Sequence, residues 1–125
     1  RHRSLVADIL SRRTRLTVKE AEGGEKLQAG TVYIAPPNRH LLVNSDGRLA
    51  LADSELVHFL RPSADLLFES VAASFRDRAI GVVLSGTGKD AAMGVTAIKS
   101  MGGTVLAQDP QGAEFPGMPE GAIAT

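Results

Sequence analysis

The sequence has 125 residues, of which 43% are hydrophobic and 22% charged, a composition that fits one soluble globular domain with a modest core. Its 14 basic residues balance its 14 acidic ones, which argues against a dedicated nucleic-acid binder, and it has no cysteine, which excludes disulfides, thiolate catalysis and zinc–cysteine sites. No apolar run approaches the roughly 20 residues that a membrane span needs. We therefore expect a cytoplasmic protein that spans no membrane and binds no nucleic acid.

The first half of the chain predicts a helix, two strands and a β-hairpin. Ser4 is a suitable N-cap for a helix whose apolar residues share one face, and this helix should end near Arg13. The hairpin is predicted from Asp46-Gly47, because glycine supplies the positive φ that a tight turn requires. The expected strands are residues 16–18, residues 31–35 before a pair of prolines, and residues 41–43 and 49–51 in the hairpin.

The second half alternates helix, strand, helix and strand. Ser63 is the expected N-cap of a helix whose apolar residues recur at i, i+3, i+4 and i+7, and a further helix should start at about Asp90. Residues 80–84 form a nearly continuous apolar run, which is typical of a strand buried on both faces, and residues 104–107 predict the next buried strand. Residues 108–119 are rich in proline and glycine and predict a loop.

A strand, a helix and a second strand in this order imply a right-handed crossover in a parallel sheet. We therefore predict an α/β fold, with a parallel sheet and flanking helices in a Rossmann-like three-layer arrangement plus the β-hairpin. Because Arg1 is not an initiator methionine and the last residues stop within a pattern, we expect residues 1–125 to be a fragment of a larger domain.

The segment that carries chemistry is the loop LSGTGKD at residues 84–90. It follows the predicted apolar strand, and in parallel sheets sites form at the carboxyl ends of strands. Asp90 then falls at the start of a helix, where the N-terminus stabilises a carboxylate by about 0.3–1 kcal/mol. Such a carboxylate could orient a histidine in a catalytic triad, but capping of its own helix is the simpler interpretation. Spacing alone leaves both roles open.

A dinucleotide-binding loop is an alternative interpretation of the same segment. Gly86, Gly88 and Ala91 fit the pattern G-x-G-x-x-A after a strand, and Asp109 follows the next strand at about the spacing of a ribose ligand. The pattern is short and common, and a phosphate-binding P-loop does not fit, because that motif needs four residues between its glycines.

The other candidate residues carry weaker signals. Ser85 lies at a strand end, but no G-x-S-x-G elbow surrounds it. His40 opens the predicted hairpin and is expected to be a structural histidine, whereas His2 and His58 lie on polar segments and are expected to be solvated. No set of histidines and carboxylates has a convincing metal-ligand spacing, and we expect no metal or other cofactor.

Several spaced blocks of the sequence resemble the catalytic domain of the chemotaxis receptor methylesterases of the CheB type. One block, at residues 82–94, has the leucine, serine, glycines and helix-opening aspartate that are typical of this family. The blocks are, in the order of that family, VKEA at residues 18–21, YIAP at 33–36, RPSADLLF at 61–68, VVLSGTGKDAAMG at 82–94 and FPGMP at 115–119. The resemblance covers nearly all of residues 1–125 and is therefore more specific than the loop alone.

The resemblance implies a hydrolase that removes methyl groups from glutamate methyl esters on chemoreceptors and deamidates certain glutamines. Its partners would be the methylated cytoplasmic region of a chemoreceptor and, in a longer protein, a receiver domain. The family uses a triad in which serine attacks the ester, histidine moves protons and aspartate orients the histidine. Asp90 matches that aspartate, and Thr87 occupies the position whose backbone amide helps to bind the oxyanion.

The sequence also departs from the family pattern. Ala91 stands where the family usually has glycine. The serine and histidine of the triad precede the region that matches residues 4–10, so neither is within this chain. His2 is several residues too late to be that histidine, and His40 matches a family histidine outside the triad.

Three hypotheses follow from these observations. The leading one is a partial methylesterase catalytic domain that supplies Asp90 and is inactive by itself, because an aspartate without serine and histidine cannot perform acyl transfer. The second is a dinucleotide-binding module that uses Gly86, Gly88 and Asp109. The third is an interaction domain that keeps the fold without its chemistry.

Overall fold

A computed structural model describes residues 5–53, 61–88 and 90–125 of the chain. The predicted cap Ser4 and the two histidines His2 and His58 lie outside these residues. The described helices and strands are α1 (Leu5–Ser11), β1 (Thr17–Glu20), β2 (Thr31–Ile34), β3 (His40–Val43), β4 (Leu49–Ala52), α2 (Ala64–Phe75), β5 (Ile80–Val83), α3 (Ala92–Ser100), β6 (Thr104–Ala107) and α4 (Gly117–Ile123). Two short 3-10 helices, Arg76–Arg78 and Pro110–Gly112, lie between them.

Two of the three strand pairs were predicted from the sequence, and the parallel pairing of β1 with β2 was not. β1 and β2 are parallel, and β5 and β6 are parallel with α3 between them, which is the expected strand–helix–strand unit. β3 and β4 form the antiparallel hairpin, in which Val43 lies opposite Leu49. Gly47 has a φ of +82° in its turn, a conformation that glycine adopts at no steric cost. The predicted α/β fold with a hairpin is confirmed.

Helix α2 is the central element, because it contacts both the hairpin and α3. Two of its serines are bonded to the hairpin: the Ser70 hydroxyl accepts a hydrogen bond from Val43 N–H at 2.9 Å, and the Ser74 hydroxyl donates one to Val43 O at 3.0 Å. Its other side packs on α3, where Val95 and Ile98 are fully buried. These contacts fix the N-terminus of α2 relative to the strand ends.

The close approach of α2 and α3 depends on Gly94. A Cβ atom at this position would lie 2.5 Å from Cβ of Phe68 and 3.2 Å from the backbone of Asp65. Contacts that short do not occur between real side chains, so only glycine permits the observed distance between the two helices.

One prediction about burial is wrong for both strands of the second parallel pair. In β5, Gly81 and Val83 are buried, but Ile80 and Val82 are 66% and 50% exposed. Leu106 of β6, which lies opposite Val82, is 56% exposed. Helices α2, α3 and α4 contribute to the buried side of this sheet, and no described element covers the other side.

The chain termini differ from the sequence prediction in two further ways. Helix α1 ends at Ser11, two residues before Arg13, and its apolar residues are exposed except for Ala7. Part of the expected C-terminal loop is α4, whose Pro116 and Pro119 stand at its N-cap and in its first turn. Proline is tolerated there because the first N–H groups of a helix have no partner within it.

Among the described helices, none combines the length and apolarity needed to cross a bilayer.

Candidate active site

Asp90 lies between β5 and α3 and is only 5% exposed. The sequence predicts that Asp90 lies in the first turn of the helix that follows it. In the structure α3 begins at Ala92, so Asp90 precedes this helix. The residue between them, Ala91, has a φ of +83°, which turns the chain just before the helix. Glycine adopts this φ without strain, which explains why glycine suits the equivalent position of the family.

The carboxylate of Asp90 caps a different helix from the one expected. Its Oδ1 accepts hydrogen bonds from the Ser63 hydroxyl at 2.9 Å and from Asp65 N–H at 3.2 Å, and its Oδ2 accepts one from Ala64 N–H at 2.6 Å. All of these donors belong to the N-terminus of α2, where the helix dipole favours a negative charge by about 0.3–1 kcal/mol. Capping of α3, one of the two roles that spacing left open for Asp90, is therefore wrong, and tertiary packing sets the position of its carboxylate.

The N-terminus of α3 is capped in turn by a residue of α2. Asp65, which is 1% exposed, accepts a hydrogen bond from Gly94 N–H at 2.8 Å through Oδ1. Asp90, which precedes α3, therefore caps α2, and Asp65 of α2 caps α3. The sequence analysis missed this role of Asp65, although a second aspartate beside a helix start was visible in it.

Ser63 and His40 complete a buried polar cluster around Asp90. His40 is fully buried, and its Nδ1 accepts a hydrogen bond from the backbone N–H of Ser63 at 3.1 Å. A serine, a histidine and an aspartate are therefore close together, but their connections are not those of a hydrolytic triad. In a triad, histidine bonds to the serine hydroxyl and to the aspartate, whereas here the Ser63 hydroxyl donates directly to the carboxylate. The expectation that His40 is structural agrees with this geometry.

A cavity of about 270 Å³ lies beside Asp90. It is lined mainly by apolar residues, which include Ala35, Leu41 and Leu67. A carboxylate has about four acceptor positions, and the described residues supply three donors, two at Oδ1 and one at Oδ2. Oδ2 can therefore accept one more hydrogen bond, which is what a carboxylate must do to orient a histidine.

The glycine-rich loop before Asp90 is hydrogen-bonded to Phe115 and to the first turn of α4. Gly86 N–H donates to Phe115 O at 2.8 Å, Phe115 N–H donates to the Ser85 hydroxyl at 2.8 Å, and Met118 N–H donates to Gly86 O at 3.0 Å. Thr87 is exposed, and its backbone N–H has no acceptor within the part of the chain that the structure describes. A backbone N–H that makes no such bond keeps a donor for an acceptor from outside these residues.

The geometry disfavours the dinucleotide interpretation. A pyrophosphate needs the N-terminus of the helix after the loop, but Asp65 already occupies that end of α3 with a carboxylate. The backbone at Gly117 also lies against Gly88, where an added Cβ would be 3.0 Å from the carbonyl oxygen of Gly88. Asp109, the expected ribose ligand, accepts from Gln111 N–H at 3.0 Å and caps a 3-10 helix.

These features define an α/β protein whose site lies at the carboxyl end of a parallel strand, around a buried carboxylate. The family model described as CheB methylesterase matches residues 1–125, and the chain belongs to this family. The resemblance predicted from the sequence is thereby confirmed.

Individual relatives agree with this assignment. A protein of Leptospira interrogans is 44% identical over 115 residues, which are 92% of this chain and 60% of that protein. The protein-glutamate methylesterase FrzG of Myxococcus xanthus is 44% identical over 118 residues, 94% of this chain and 35% of that protein. The crystal structure of the Thermotoga maritima CheB methylesterase catalytic domain matches with a TM-score of 0.91 and 37% identity, over 95% of this chain and 65% of that one. The chain thus spans less than two thirds of the length of each of these relatives.

Proposed function

We propose that residues 1–125 are part of a protein-glutamate methylesterase and glutaminase catalytic domain, to which they contribute Asp90 as the aspartate of a Ser–His–Asp triad. Its substrates would be methylated glutamates and certain glutamines in the cytoplasmic region of a chemoreceptor. The observation that carries this proposal is the state of Asp90: buried, held by three donors, and left with one acceptor position at Oδ2 beside an apolar cavity.

In the proposed mechanism, each residue acts on a defined atom. A serine outside this chain attacks the ester carbonyl while a histidine takes its proton and passes it to the departing methoxide, which leaves as methanol. The same histidine then takes a proton from a water that attacks the acyl-serine and returns it to the serine oxygen, which releases the glutamate. Asp90 accepts the other ring N–H of that histidine at Oδ2, which fixes its tautomer and stabilises the imidazolium that forms. The backbone N–H of Thr87 donates to the oxyanion of the tetrahedral intermediate, a contact that forms only as charge develops.

The test is methanol release from a methylated receptor by the gene product that contains this chain. Replacing Asp90 with Asn keeps the size of the side chain but offers the histidine a wrong hydrogen-bonding partner, so we expect kcat to fall about 10⁴-fold. The control is Asp77→Asn, which changes an exposed aspartate at the far end of α2 and should leave kcat unchanged.

Two further results decide between this proposal and a domain without chemistry. Residues 1–125 by themselves should release no methanol, because they lack the serine and the histidine. Unchanged turnover in Asp90→Asn, with the variant folded, would show that Asp90 is only a helix cap and would favour the non-catalytic interaction domain.

A further inference from the structure

We propose that Ser63 is a positioning residue for Asp90, and that its hydroxyl determines which carboxylate oxygen receives the histidine. This inference rests on the proposed function of Asp90. The Ser63 hydroxyl donates to Oδ1 of Asp90 at 2.9 Å, and both residues are buried, with exposed fractions of 2% and 5%.

The argument concerns how the donors are divided between the two oxygens. Oδ1 receives two donors, from the Ser63 hydroxyl and from Asp65 N–H, whereas Oδ2 receives only one, from Ala64 N–H. Oδ1 is therefore saturated, and an incoming histidine N–H finds one open position. Without the hydroxyl each oxygen would hold one donor and one open position, so the histidine could bond in two places and its ring would lose its single orientation.

The backbone around Ser63 supports this role. An N-cap serine ordinarily accepts a hydrogen bond from the N–H of the second or third residue of its own helix. Ser63 stands at the N-cap of α2 in an extended conformation, yet its side chain makes no such bond. Asp90 accepts the N–H groups of Ala64 and Asp65, and the Ser63 hydroxyl donates to the same carboxylate.

Ser63 is itself held in place from the opposite side. Its backbone N–H donates to Nδ1 of His40, which lies fully buried at the start of the hairpin. The hydroxyl thus comes from a residue fixed by both the hairpin and α2, and rigid support of this kind keeps a catalytic group within the narrow range of geometries that the reaction needs.

The experiment measures kcat and KM of the gene product on methylated receptor for Ser63→Ala, Ser63→Thr and Ser70→Ala. A misplaced histidine slows chemistry without weakening substrate binding, so Ser63→Ala should lower kcat about 10- to 100-fold with KM unchanged. Ser63→Thr keeps the hydroxyl and adds one methyl group to a residue that lines the cavity beside Asp90. This variant should recover most of the lost kcat.

Ser70→Ala is the matched control for lost stability. Ser70 follows the N-cap Ser63 in α2, accepts from Val43 N–H and donates to Leu67 O, so its removal breaks two side-chain hydrogen bonds, one more than the removal of the Ser63 hydroxyl. We expect a lower melting temperature and an unchanged kcat. If Ser63→Ala does not fold, Ser63→Cys keeps the volume with a weak donor and should show a smaller loss of kcat.

The outcomes separate this inference from the proposed function. If Asp90→Asn lowers kcat but Ser63→Ala does not, or if Ser63→Thr is as slow as Ser63→Ala, the positioning role is overturned and the function of Asp90 stands. If Asp90→Asn itself leaves kcat unchanged, the proposed function fails, whatever Ser63 does.

Discussion

Asp90 accepts three hydrogen bonds from the N-terminus of α2. With these contacts, one carboxylate can both cap a helix and take the proposed role of orienting a histidine. A carboxylate that capped its own helix would have its oxygens directed along the chain that follows it. Because Asp90 caps a neighbouring helix, its position is fixed by packing, and one acceptor position remains at Oδ2. The capping bonds hold the carboxylate in place, and the remaining acceptor position is the one proposed to accept a histidine N–H.

At the same scale, the proposed oxyanion role of Thr87 depends on its backbone and not on its side chain. Replacing Thr87 with Pro removes the N–H, so we expect kcat on methylated receptor to fall about 10²- to 10³-fold, the usual loss for one oxyanion donor. Thr87→Ala keeps the N–H and should retain kcat. Thr87 is exposed, so circular dichroism should show both variants folded. Equal rates for the two variants would rule out the backbone role.

The scale of helices and strands shows what the sequence can and cannot predict. The hairpin and the unit β5–α3–β6 were predictable because turn residues and apolar runs are local signals. The position of Asp90 beside α3 followed from spacing, but its bonds to α2 did not, because they join residues 25 to 27 positions apart. The sequence likewise does not show that Asp90 caps α2 while Asp65 caps α3, because both contacts depend on how closely the two helices pack.

A prediction at this scale concerns the contact between α2 and α3. Gly94→Ala would place a Cβ atom 2.5 Å from Cβ of Phe68 and against the backbone of Asp65, so the helices must separate. We expect a loss of about 1–3 kcal/mol in the free energy of unfolding, measured by denaturant titration of residues 1–125. In the control Gly112→Ala, the added Cβ meets nothing within 4 Å, and stability should change little. Equal stability of the two variants would contradict the close packing described here.

At the scale of the whole molecule, the sheet of β5 and β6 has one buried face and one face that no described element covers, called the uncovered face below. Val82 and Leu106 lie opposite each other on the uncovered face, together with Ile80. Residues 80–84 have the composition of a strand covered on both faces, and the chain spans 65% of the Thermotoga maritima catalytic domain. The apolar composition predicted burial on both faces, but it could not predict which elements of this chain pack against each face.

The uncovered face gives residues 1–125 a property that can be measured without substrate. An apolar patch of adjacent side chains should bind a hydrophobic dye and promote self-association as concentration rises. Replacing Val82 and Leu106 together with Thr removes two facing apolar side chains and places a β-branched residue that suits a strand at both positions, so dye fluorescence and association should both fall. The control is Leu16→Thr, which changes a leucine of similar exposure outside this sheet and should leave the dye signal nearly unchanged. If the double variant binds as much dye as the original chain, the face formed by β5 and β6 is not the exposed apolar surface in solution.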